Sequence, residues 1–169
     1  MFSAKLPSTL AQVLEEAGLY NCPRFYLDRQ FAAAIVAGML FLWLFYDRLP
    51  VFSSPLTLNW TLLVSVLIWQ PFIEELLFRG VIQGQVSKYK WGQAKILHIT
   101  SANIITSFLF VAIHLFNSPL LWSLAIFIPS LLYGYFKDMF NSVYPAIVLH
   151  GVYNALVIIA LYINGNAVF

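Results

Sequence analysis

The chain has 169 residues, 61% of them hydrophobic and 9% charged, with a formal net charge of +2. A soluble domain carries about 25% charged residues, so this is the composition of a membrane protein. Nine basic residues are too few for a nucleic-acid surface, and the single cysteine, Cys22, excludes an intrachain disulfide.

The first thirty residues lack the basic-then-apolar order of a cleavable signal peptide. Leu6, Leu10, Val13, Leu14 and Ala17 recur at helical spacing, which predicts a short amphipathic helix lying along the interface. A spanning helix needs about 20 largely apolar residues. The first such stretch is Phe31–Tyr46, between Arg29 and Asp47/Arg48, and with its loop it occupies residues 31–55. Four more stretches follow within residues 56–169. One runs from Leu56 through Ile73 towards Val86, and the next covers Ile96–Phe116. The third covers Leu120–Phe136, with Pro129 expected to bend it. The last begins near Pro145, a favourable first-turn position, and ends near Ile163.

The expected fold is therefore all-α, a polytopic membrane helical bundle of about five transmembrane helices. Lys5, Arg24, Arg29, Lys88, Lys90, Lys95 and Lys137 fall on one set of ends, and only Arg48 on the other. That asymmetry predicts a cytoplasmic N-terminus and an outside C-terminus. Trp60, Trp91 and Trp122 are expected as interfacial anchors, His98 as a solvated residue near the interface, and Asn103 and Asn117 as helix-end or bundle-contact groups.

Three polar motifs interrupt the apolar stretches. Glu74 and Glu75 are followed by Arg79; His114 stands four residues after Phe110; Asn154 stands four after His150. Charges inside hydrocarbon are expensive unless paired, so such a cluster marks a functional site. Residues four apart share a helix face, so Arg79 can hold Glu75, while Glu74 points about 100° away. At about 1.5 Å per residue, Glu74 and Asn154 each lie roughly 20 Å from the basic ends of their helices, and His114 about 27 Å. The motifs can therefore meet at one depth.

In order and type, these motifs resemble those of the CPBP family, which contains CAAX-type prenyl endopeptidases and bacterial Abi-like membrane proteins and is regarded as a family of glutamic intramembrane proteases. The flanking text IEELLFRGVIQ, FLFVAIHLFN and NSVYPAIVLHGVYNA is similar too. The resemblance covers about Leu56–Ile163, the family's four-helix catalytic core. It implies an intramembrane endopeptidase in which Glu74 and His114 hold and activate water, and His150 and Asn154 stabilise the oxyanion. Glu75 and Arg79 would fix the helix and tune the neighbouring carboxylate, and Phe110 would shape the pocket. It further implies a bacterial inner-membrane protein. The substrate would be the C-terminal segment of a membrane-anchored or lipidated protein, of the CAAX type or carrying a C-terminal sorting signal. No cofactor is expected; a Zn²⁺ reading would use Glu74, His114 and His150 as ligands. The alternative is a non-catalytic Abi-like immunity or membrane peptide-binding protein.

Overall fold

The computed structural model describes residues 12, 14–45, 56–116 and 118–168. Lys5, Leu6, Leu10, Val13, Tyr46, Asp47, Arg48 and Asn117 lie outside them. The protein is an all-α membrane bundle. We label its helices α1 (Arg29–Phe45), α2 (Trp60–Val86), α3 (Ser101–His114), α4 (Leu120–Phe140) and α5 (Tyr144–Ile163). Among the described residues α2, α4 and α5 are long and apolar enough to cross a membrane; α1 and α3 are apolar but shorter. Two small ladders accompany the helices. Leu56–Thr57 pairs in parallel with Ala167–Val168, joining the chain before α2 to the chain after α5. Lys95–Ile96 pairs antiparallel with Ile99–Thr100.

The boundaries depart from the hydropathy reading at three places. Leu56 belongs to a strand, and α2 begins only at Trp60, where the Asn59 side chain caps it by accepting from Leu62 N at 2.9 Å. Helix α3 begins at Ser101 rather than Ile96, because residues 95–100 form a hairpin and Thr100 supplies the cap, accepting from Asn103 N at 3.1 Å. Helix α4 continues past Phe136 to Phe140, so Lys137 lies within it, largely buried and 3.3 Å from Asp138. The expected disturbance at Pro129 is present. The helix is interrupted at Ile126, next to Ala125, whose carbonyl loses its i+4 donor to the proline.

Helices α2 to α5 close into a ring. Helix α2 packs on α3 through its half nearer Val86 and on α5 through its half nearer Trp60; α4 packs on both α3 and α5. Helix α1 lies against the outside of α5, where Tyr153 Oη donates to the Ala34 carbonyl at 2.7 Å. At the basic end one carboxylate fixes the relative heights of three helices. Asp138 accepts from Gln83 Nε2 at 2.8 Å and from Thr100 Oγ1 at 2.7 Å. Residues 15–21 lie across this end. A Cβ on Gly80 would stand 2.9 Å from the Ala17 carbonyl oxygen, and Val143 N donates to the Gly18 carbonyl at 3.0 Å.

The contact between α2 and α5 has a backbone cause. Residues Ser65–Trp69 are π-helical, and Gln70 N donates back five residues to the Ser65 carbonyl. In that register the next donor, to Val66, would be residue 71. It is a proline, so the Val66 carbonyl is left without its partner. Asn154 Nδ2 takes the vacant place at 2.9 Å. One turn earlier on α5, Gly151 lets the helices close, since a Cβ there would stand 2.6 Å from the Leu67 carbonyl oxygen. Gly151→Ala must push α2 and α5 apart, and overpacking of this kind costs about 1–3 kcal/mol. A lower detergent unfolding midpoint is the expected result, and an unchanged midpoint would contradict this contact.

Candidate active site

The two glutamates sit in an α-helical segment, Gln70–Glu75, between the π-helical stretches Ser65–Trp69 and Leu76–Gln83. Such bulges re-aim side chains and are frequent at functional sites. Here they separate the roles of two neighbouring carboxyl groups. Glu75 points into the bundle and is fully buried: Oε1 is hydrogen-bonded to His150 Nδ1 at 2.8 Å, and Oε2 is ion-paired with Arg79 Nε at 3.0 Å. Glu74 points to a different side. Its side chain is 32% exposed, and its nearest ionic neighbour is His150 Nε2 at 3.9 Å. Glu74 is also within electrostatic reach of His114, Glu75 and Arg79.

Arg79 is the centre of the buried part. Besides Glu75, its guanidinium donates to the backbone carbonyl and the hydroxyl of Ser130 at 2.9 and 2.8 Å, tying α2 to α4. It lies over the Phe110 ring at 4.8 Å and near Tyr133 at 5.5 Å, a cation–π cradle in a dry interior. A planar fork with several fixed donors suits this site as a lysine would not.

Phe110 also meets both histidines, with ring centroids 4.6 Å from His114 and 5.9 Å from His150. His114 Nδ1 lies 2.8 Å from the Phe110 carbonyl, which can only accept, so Nδ1 donates and Nε2 is left as an acceptor. The His150 ring is held twice, stacked on Tyr133 at 5.0 Å with 13° between planes and bonded through Nδ1 to Glu75.

These contacts bring Glu74, Glu75, Arg79, Phe110, His114 and His150 together; Asn154 is the exception. Its amide already donates to the Val66 carbonyl, so only its second N–H is free for another partner. The later start of α3 improves the agreement in depth. With five residues removed from the count, His114 stands about 20 Å from the helix start, close to the figure for Glu74.

Sequence reasoning missed three participants. Ser130 carried a faint signal, a hydroxyl beside a proline within an apolar span. Tyr133 carried none, being one of nine tyrosines. Gln70 stands one α-helical turn before Glu74, exposed, and was readable as a lone amide in mid-span.

Among the described residues, no group of three or more His, Cys, Asp and Glu side chains is placed to hold a metal ion.

The family model described as Rce1-like, Type II CAAX prenyl endopeptidase Rce1-like, fits residues 55–156, a stretch containing all three polar motifs. No curated protein and no solved structure matches the chain.

Proposed function

The chain belongs to the Type II CAAX prenyl endopeptidase Rce1-like family, and from that premise we propose that it is a glutamic-type intramembrane endopeptidase cutting near the C-terminus of a membrane-associated protein. The observation that carries this reading is the division of labour between the adjacent glutamates. Both Glu75 oxygens are in close ionic contact inside the bundle, whereas the Glu74 side chain is partly exposed and has only the longer 3.9 Å contact to His150.

In the proposed reaction a water donates its two hydrogens to Glu74 and to His114 Nε2. Its oxygen attacks the scissile carbonyl carbon while Glu74 takes the proton as general base. The carbonyl oxygen becomes an oxyanion, which accepts from His150 Nε2–H and from the second amide hydrogen of Asn154. With Nδ1 bonded to Glu75, this role asks for the doubly protonated His150 ring. Two carboxylates against one guanidinium leave one negative charge in the cluster for that ring to balance. Collapse of the intermediate breaks the C–N bond, and Glu74 returns its proton to the leaving amine. Glu75, Arg79, Ser130 and Tyr133 position these groups without touching the substrate.

The excess of basic residues at the end carrying Ser87 and Asn141 supports its placement at the cytoplasmic face of a bacterial inner membrane. The direct test is reconstitution in lipid vesicles with two probes. One is a farnesylated peptide ending in a CAAX sequence; the other is a peptide with a C-terminal apolar helix and basic tail. Cleavage of either supports the proposal and assigns the substrate class. Cleavage of neither by folded protein overturns it in favour of a membrane peptide-binding protein. With a carboxylate rather than a metal activating the water, the cleavage rate is expected to stay within about twofold after exhaustive chelation. Loss of activity that added Zn²⁺ restores would refute the glutamic mechanism.

A further inference from the structure

Helix α2 spans 27 residues, and Gln70 stands about 15 Å inside its Trp60 end, well within the depth of a bilayer core. Its side chain is exposed, and among the described residues its carboxamide has no hydrogen-bond partner. An unpaired amide facing hydrocarbon is strongly disfavoured. The residues of α2 that do face outward at this level are apolar: Trp69, Ile73 and Leu77 recur four apart and are all exposed. Gln70 lies on the adjacent stripe, four residues before Glu74 in an unbroken α-helical segment, so the two side chains share a face one turn apart. The amide thus lies beside Glu74, on the same face of the helix.

We infer that Gln70 binds the main chain of an extended substrate beside the scissile bond. A carboxamide donates and accepts together, as a main-chain amide does, and so can extend the pairing of a peptide that has no neighbouring strand. One turn of α2 is a rise of about 6 Å from Glu74, against roughly 3.3 Å per residue of extended peptide. Gln70 therefore meets the substrate about two residues from the bond that is cut. The inference rests on the proposed protease reaction and adds a subsite to it: recognition of backbone rather than of side chains, which tolerates varied sequences at that position.

The test uses the reconstituted enzyme and whichever of the two probes it cleaves, in versions N-methylated two residues to either side of the cut. Gln70→Ala is expected to raise KM about five- to tenfold with kcat within twofold, the loss of one hydrogen bond made in both ground and transition states. One of the N-methylated peptides should show the same penalty with wild type and no further penalty with Gln70→Ala. Gln70→Asn, one methylene shorter, controls for folding and should fall between the two. Unchanged KM in Gln70→Ala overturns the inference, as do penalties that multiply for both peptides. Glu74→Gln in the same assay keeps the two ideas apart. If it is inactive while Gln70→Ala behaves as wild type, only the subsite fails. If Glu74→Gln cleaves normally, or wild type cleaves neither probe, the protease reading fails and the subsite with it.

Discussion

Glu74→Gln should fold as well as the unaltered protein and cleave about 10²–10⁴-fold more slowly, the range over which a positioned general base contributes. The isosteric amide keeps the size of the side chain but cannot take a proton from water. Little stability should be lost, because among the described residues the carboxylate makes no hydrogen bond and its ionic neighbour is 3.9 Å away. Glu75→Gln is the instructive contrast. It weakens the contacts at 2.8 and 3.0 Å to His150 and Arg79, and should lower both unfolding midpoint and rate. His114→Ala should resemble Glu74→Gln in kind, since among the described residues the hydrogen bond of His114 stays within its own helix, to the Phe110 carbonyl. The measurement is kcat on the cleaved probe alongside a detergent unfolding curve for each variant. Full activity in Glu74→Gln would move the base elsewhere and remove the mechanism.

The second large effect is on stability. Arg79→Ala leaves Glu75 fully buried without its guanidinium and strips two hydrogen bonds from Ser130. Breaking a buried pair from one side typically costs about 3–5 kcal/mol, because the remaining charge is uncompensated. We expect the variant to unfold at much lower denaturant or to accumulate poorly. Arg79→Lys should recover only part of the loss, since an ammonium group cannot reach the carboxylate and both Ser130 acceptors from one plane. Replacing both partners, Glu75→Leu with Arg79→Met, removes the stranded charge and should be more stable than Arg79→Ala alone while remaining inactive. An Arg79→Ala protein as stable as the original would show that Arg79 neither offsets the buried charge of Glu75 nor holds α2 to α4.

Glu74 and its neighbour Glu75 are thus expected to respond very differently, and the contrast marks how far the sequence can be read. The spacing of Glu75 and Arg79 announced their pairing, and the order of the three motifs announced a shared site. Neither could say which glutamate remains available, because that depends on where each carboxylate meets another helix. His150 binds Glu75 on one side and stacks on Tyr133 on the other, and both contacts join segments far apart in the chain. Asn154 shows the same limit. As one of the polar residues facing the site it looked like a donor to substrate, yet a proline on α2 had already created an acceptor for it inside the protein.

By itself the sequence determined the membrane class and the helical fold, and it singled out the polar residues of the three motifs. Those follow from transfer energies and from a 3.6-residue period, which are local properties of the chain. Helix ends were less legible: a hairpin at 95–100 and a cap at Thr100 shortened α3, and hydropathy does not register hydrogen-bonded turns among apolar residues. Only the tertiary structure decided which polar groups are spent on holding the bundle together and which face the cleft. In a bilayer each buried donor and acceptor must find a partner within the protein, so that allocation is settled by packing across helices.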